Sequence, residues 1–244
     1  LALSPKELRA ERQNLQMVFQ DPYTSLNPKM TVGEIIEEPL IIHKLYSNKK
    51  ERVEKVMEMM QKVGLRKDQY YRYPHEFSGG QRQRIGLAKA LILQPKVVVC
   101  DEPVSALDVS IQAQILNLLQ EIKQEMNVSY LFISHNMSVV RYVSDRIAVM
   151  YLGHIVEVAP TDELFENPKH PYTQALLSAV PEADPHLKKE KIALKGDIPS
   201  PIDPPSGCPF HTRCPMAKDD CQYLEPKTTQ INAQHQVSCL LYED

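Results

Sequence analysis

The chain has 244 residues, 43% of them hydrophobic and 24% charged, with a net charge of −3. That size holds one large α/β domain, or one domain with a small appendage, and the near-neutral charge argues against non-specific nucleic-acid binding. No apolar run approaches the roughly 18 residues of a membrane-spanning helix, and no signal peptide is visible.

The first residue, Leu1, stands in mid-pattern, so the sequence reads as lacking an N-terminal segment. "SPKELRAER" has a short polar helix pattern, and "LQMVFQ" is strand-like up to Gln20. "DPYTSLNP" follows as a loop of turn residues. Residues 31–76 read as helical. Within 51–63, Val53, Val56, Met57, Met60 and Val63 recur at helical spacing, which buries one face as core.

From residue 84 the pattern alternates between helix and strand. The stretch "FSGGQRQRIGLAKAL" opens a helix over 79–93 that ends before Pro95. "KVVVCDEP" is a short apolar strand closed by two carboxylates, and "SIQAQILNLLQEIKQEM" carries Ile111, Ile115, Leu118, Leu119 and Ile122 on one stripe. "SYLFISH" is a further apolar strand and "NMSVVRYV" a short helix, while "RIAVMYLGHIVEVA" predicts a hairpin turning near Gly153. Apolar strands separated by helices predict a parallel sheet covered on both faces. Beyond Pro160, "HPYTQALLSAVPEADP" predicts a helix and a linker. Residues 196–244 are Pro-rich, with little apolar core of their own.

Three features carry chemistry. Asp101 and Glu102 end a strand, where ligands bind in open α/β sheets. Being consecutive, their side chains diverge, so one can hold Mg²⁺ while the other polarises a water. His135 ends the next strand, at the same sheet edge, and beside the acidic pair it reads as functional rather than structural. Ser78, Gly79 and Gly80 start a helix whose free amides and dipole favour an anion, although Ser78 serves equally as a plain helix cap. No Gly-x-x-x-x-Gly-Lys-Ser/Thr phosphate loop occurs in the 244 residues.

"FSGGQRQR", "VVVCDEPVSALD" and "FISHN", in this order and spacing, resemble the ATPase subunits of ABC transporters. "FQDPYTSLNPKMTVGEII", "HPYTQALLSAVPEADP" and the tail "GCPFHTRCPMAKDDC" resemble the oligopeptide/dipeptide importer branch, over nearly the whole chain. The resemblance implies an α/β fold: an incomplete ABC-type nucleotide-binding domain with a parallel-sheet core and a helical subdomain, plus a small Cys-containing C-terminal appendage. The expected divisions are the ATPase domain over 1–160, with its helical subdomain near 25–93, a linker helix region over 161–195, and the extension over 196–244.

The same resemblance implies roles. Ser78, Gly79, Gly80 and Gln81 match the signature that grips the γ-phosphate of an ATP held mainly by a partner subunit. Asp101 matches the Mg²⁺ ligand, Glu102 the general base, His135 the switch histidine, Asp108 the loop that crosses between subunits, and Gln20 the glutamine on metal and attacking water. ATP and Mg²⁺ are the implied cofactors. A second ATPase subunit, a paralogue forming a heterodimer, and membrane permease subunits are the implied partners, with a solute-binding protein engaged indirectly, at the cytoplasmic face of the membrane. Without a phosphate loop, these 244 residues are expected to be inactive alone. The readings left open are import of nickel or another small solute, a non-transport ABC protein, and a metal-binding regulatory module.

Of five cysteines, Cys100 lies in an apolar strand and reads as core. Cys208, Cys214, Cys221 and Cys239 fall together in the tail without a Cys-x-x-Cys pair, which excludes a standard zinc ribbon. Four thiolates suit tetrahedral Zn²⁺ or a [4Fe-4S] cluster, and resemblance to peptide-importer ATPases favours the cluster. His211 and His235 lie nearby as substitute ligands.

Overall fold

Three short strands, β1 (Leu15–Val18), β2 (Val97–Asp101) and β3 (Ser129–Ile133), form a parallel sheet in the order β1-β2-β3. They belong to a computed structural model in which residues 3–181 and 190–243 are described. The chain divides into two compact units, 1–135 and 136–244.

In the first unit, register places Val18, Cys100 and Phe132 in line, and all three are buried or half-buried. The opposite face carries Leu15, Met17, Leu131 and Ile133, at 54%, 41%, 58% and 45% exposure. The sequence predicts a sheet covered on both faces; the described residues cover one. Strand alternation is the reason, because neighbouring residues point to opposite faces and these helices supply apolar partners to one face.

The helices follow their local signals. Ser4 caps α1 (Pro5–Glu11), and Thr31 with Glu34 forms a capping box on α3 (Val32–Ile42). Asn48 caps α4 (Lys49–Lys62), which buries Val56, Met59 and Met60. A short helix, α2 (Pro22–Ser25), begins in the stretch read as loop, because Asp21 accepts from the Tyr23 amide and Pro22 fixes the first turn. α5 (Gly79–Leu91) and α6 (Val109–Met126) complete the unit. α6 buries Ile115, Leu118, Leu119 and Ile122 of the predicted stripe, whereas Ile111 is only half-buried and Leu116, outside the predicted stripe, is buried.

The second unit holds an antiparallel sheet in the order β4-β5-β7-β6. β4 (Arg146–Tyr151) and β5 (His154–Pro160) form the expected hairpin, turning at Leu152 and Gly153, both with positive φ. The tail contributes β6 (Thr228–Asn232) and β7 (His235–Ser238), and β7 pairs with β5. The tail is therefore built into this sheet, and Phe210 and Val237 are almost fully buried. α7 (Met137–Val143), α8 (Thr161–Glu166) and α9 (Pro171–Ser178) surround the sheet. The linker expected to follow α9 lies partly in 182–189, outside the described residues.

Candidate functional site

Parallel pairing delivers the ends of all three strands of the first unit to one edge. Gln20 lies two residues after β1, Asp101 ends β2, and His135 lies two residues after β3. Glu102 follows Asp101 in a left-handed backbone conformation, φ 42°, which is uncommon for a residue with a side chain. Three hydrogen bonds hold it there. Its amide donates to the Ile133 carbonyl at 3.0 Å, and the Ser105 hydroxyl and amide donate to its carbonyl at 3.0 and 3.2 Å.

The turn aims the Glu102 carboxylate between two side chains. Gln20 Nε2 donates to Oε2 at 2.8 Å, and His135 Nδ1 stands 2.8 Å from Oε1. An ionised carboxylate only accepts, so Nδ1 carries the proton of that bond. The His135 bond is the main influence holding the Glu102 carboxyl below its ordinary range, with Gln20 and Ser105 adding to it and burial opposing. His135 is 75% exposed and Glu102 only 22%. The carboxylate is thus half-sheltered, ionised, and open to an incoming ligand on the histidine side. Asp101 is half-buried beside it, in register with Ile133.

The signature residues form a second group in the same unit. Ser78 caps α5: its hydroxyl accepts from the Gln81 amide at 3.4 Å, while Gln81 Oε1 accepts from the Ser78 amide at 3.1 Å. The two glycines differ. A methyl group on Gly80 would overlap Cγ2 of Ile111 on α6, whereas one on Gly79 would meet only Leu107, in ordinary contact at 3.5 Å. Gly80 is required by packing; Gly79 is not. Asp108 caps α6, accepting from the Ile111 amide at 3.0 Å. The structure therefore brings Gln20, Glu102 and His135 into direct contact, and sets the signature turn against residues 107–111.

The tail cysteines converge without forming a recognisable centre. Cys208 and Cys221 are buried in one apolar cluster with Phe210 and Tyr151, and Cys214 packs against it. Burial, opposed by backbone hydrogen bonds and reinforced by the other three cysteines, pushes the Cys239 thiol up to about 11. Among the described residues, no group of three or more His, Cys, Asp or Glu is arranged to hold a metal ion. The expectation of a metal centre thus finds no support in the side-chain geometry. Of the two histidines expected as substitute ligands, only His235 has both ring nitrogens engaged. His211 uses Nδ1 on the Cys208 carbonyl at 2.9 Å, and His235 spends both ring nitrogens on Glu157 and Glu163. Cys100 is core as expected, with burial pushing its thiol up to about 12.

Two arrangements escape sequence reasoning. In the second unit, Glu157 accepts from the amides of Lys169 and His170 at 2.6 and 3.0 Å, and His235 Nε2 lies 2.7 Å from it. In the first, the guanidinium of Arg82 lies 3.7 Å from the centre of the Tyr23 ring. Each joins residues far apart in the chain, and no spacing rule points to either.

Comparison with known proteins shows which family the chain belongs to. The family model described as "ABC transporter" matches residues 2–105, and "Oligopeptide/dipeptide transporter, C-terminal region" matches residues 156–221. The oligopeptide transport ATP-binding protein OppF of Escherichia coli (strain K12) is 56% identical over 242 residues, 98% of this chain and 72% of that protein. The chain belongs to the ATP-binding subunits of ABC transporters, in their oligopeptide/dipeptide branch.

Other members are similarly near. The putative oligopeptide transport ATP-binding protein YkfD of Bacillus subtilis (strain 168) is 54% identical over all of this chain and 74% of its own length. The di/tripeptide transport ATP-binding protein DppF of Pseudomonas aeruginosa (strain UCBPP-PA14) is 54% identical over 97% of this chain and 72% of its own. Among solved structures, cbiO1 of Clostridium perfringens, part of the ABC transporter complex cbiONQ, aligns with a TM-score of 0.61 at 25% identity, covering 67% of this chain and 64% of that one. The ATP-binding cassette MJ0796, a dimer bound to ADP and Pi, aligns at 0.57 and 28% identity, over 66% and 68%. The α/β ABC ATPase fold, ATPase activity, and use of ATP with Mg²⁺ come with membership of this family. Among the described residues no helix is long and apolar enough to cross a membrane.

Proposed function

We propose that this chain is the part of a peptide-importer ATPase that carries the catalytic carboxylate and the signature turn. The contact of Glu102 with both Gln20 and His135 carries the reading. Glu102 acts as general base on the attacking water, Gln20 orients that water, and His135 senses the terminal phosphate through its exposed ring. Asp101 and Gln20 offer the hard oxygen donors that suit Mg²⁺, which when bound neutralises phosphate charge. Ser78, Gly79, Gly80 and Gln81 face the nucleotide of a second ATPase subunit, with Asp108 in the loop between the two subunits. A methyl group on Gly79 would meet only Leu107, in ordinary contact, so packing does not account for a glycine there, which supports this reading.

The printed names of OppF and DppF, transport proteins for oligopeptides and for di- and tripeptides, support peptides as the cargo. The second subunit is a paralogue, permease subunits receive the work, and a solute-binding protein delivers cargo indirectly. The ATPase sits at the cytoplasmic face of the membrane. The ATPase domain extends to residue 160, with the linker over 161–195 and the extension over 196–244. The 244 residues, holding no phosphate loop, do not hydrolyse ATP alone. The likeness of the tail to those of peptide-importer ATPases, rather than the side-chain geometry, favours a [4Fe-4S] cluster on the four tail thiols, with Zn²⁺ as the alternative; analysis of iron, sulfide and zinc distinguishes them.

The test is Mg²⁺-dependent ATP hydrolysis by the full-length subunit assembled with its paralogue and permease. Activity abolished by Glu102→Gln supports the assignment; undiminished activity in that variant overturns it.

A further inference from the structure

Four consecutive residues, Gln20 to Tyr23, bridge two groups that hydrolysis uses. At one end, the Gln20 amide holds the Glu102 carboxylate at 2.8 Å. At the other, the guanidinium of Arg82 lies over the Tyr23 ring, 3.7 Å from ring centre to Cζ. The span between them is stiff. Pro22 is buried and restricts its own φ, and Asp21 Oδ1 accepts from the Tyr23 amide at 2.8 Å, locking the turn.

Arg82 is itself anchored. It is 6% exposed and lies four residues after Ser78 in α5. Its Nε donates to the Pro74 carbonyl at 2.7 Å and its Nη2 to the His75 carbonyl at 3.3 Å, so it holds the segment that leads into the signature turn. Nη1 is buried with no hydrogen-bond partner among the described residues. The face of Tyr23 is thus the stacking partner of a cation that lacks full hydrogen bonding, and a ring quadrupole suits that need. Tyr23 remains 65% exposed, so its burial contributes little to the core.

We propose that Tyr23 is a positioning residue for ATP hydrolysis: seated on Arg82, it fixes Gln20 against Glu102 and ties that contact to the signature turn. The inference rests on the role proposed above for Glu102. The pair makes the position of Gln20 depend on the position of α5, although neither Tyr23 nor Arg82 is among the residues assigned above to nucleotide contact. A side chain acting this way changes the rate of the chemical step and leaves nucleotide affinity alone.

The experiment uses the full-length subunit assembled with its paralogue and permease, comparing Tyr23→Leu, Tyr23→Phe and Glu102→Gln. Tyr23→Leu is expected to lower kcat roughly tenfold with KM for ATP and the unfolding temperature unchanged. Tyr23→Phe, which keeps the ring, is expected to restore most of the rate. Wild-type kcat in Tyr23→Leu, an equal loss in Tyr23→Phe, or a loss explained by raised KM or early unfolding would each overturn the proposal. If Glu102→Gln abolishes hydrolysis while Tyr23→Leu is normal, only this inference falls. If Glu102→Gln hydrolyses at full rate, the reading of the site falls and this inference with it.

Discussion

Each unit of the molecule contains a His–Glu pair at nearly the same distance. In the first, His135 and Glu102 stand 2.8 Å apart, 75% and 22% exposed; in the second, His235 and Glu157 stand 2.7 Å apart and are wholly buried. The distance does not distinguish them, but the surroundings do. Glu102 sits on a strained turn at a sheet edge and takes its support from two side chains that a ligand can displace. Glu157 takes two backbone amides and a buried imidazole, and His235 reaches Glu163 as well, so every polar group has a fixed partner. A pair that water and substrate can reach is suited to chemistry. A pair sealed with all its bonds made is suited to holding a tail to a sheet.

The largest expected effect probes the buried pair. His235→Ala leaves Glu157 buried with one partner fewer and is expected to destabilise the second unit by about 3–5 kcal/mol, read from denaturant unfolding. A cost below about 1 kcal/mol would mean that the pair contributes little to the fold.

Acid should find the same unit weak. Burial lowers the His170 pKa from the ordinary 6.5 to about 4, opposed by the charge of Glu157. Its Nδ1 accepts from the Tyr172 amide at 3.1 Å, so the folded state holds it neutral. Because the unfolded chain binds the proton first, this contribution is complete above pH 6.5 and is lost as pH falls towards 4, reaching roughly 3 kcal/mol. Unfolding measured across that window is expected to show the slope, and His170→Asn is expected to flatten it.

The exposed pair responds in rate rather than stability. His135→Ala in the assembled full-length subunit is expected to reduce hydrolysis roughly a hundredfold with unfolding unchanged within about 0.5 kcal/mol. The smallest effects sharpen the reading of the signature. Gly80→Ala is expected to destabilise the first unit by roughly 1–3 kcal/mol, and adding Ile111→Ala is expected to recover part of the loss by removing the clash. Gly79→Ala is expected to leave stability unchanged and to slow hydrolysis in the assembly.

Much of the first unit was legible in the sequence. Asp101, Glu102 and His135 each close an apolar strand, so parallel pairing alone predicts their meeting at one edge. The stripe of α6 and the cap at Ser78 also follow from spacing and residue type. The second unit was less legible, because β6 and β7 are short and polar, "TTQIN" and "HQVS", and carry no apolar alternation. Glu157 and His235 are 78 residues apart, and only pairing of β5 with β7 brings them together. α2 is hidden by its turn-forming composition.

The most direct measurement sets Glu102→Gln against Glu157→Gln in the same assembled protein, recording ATP turnover per folded molecule and the unfolding transition of each. The account predicts that Glu102→Gln loses turnover and unfolds normally, whereas Glu157→Gln unfolds early and keeps its turnover while folded. The reverse pattern, or loss of turnover in both at full stability, would contradict the division between a chemical pair and a structural one.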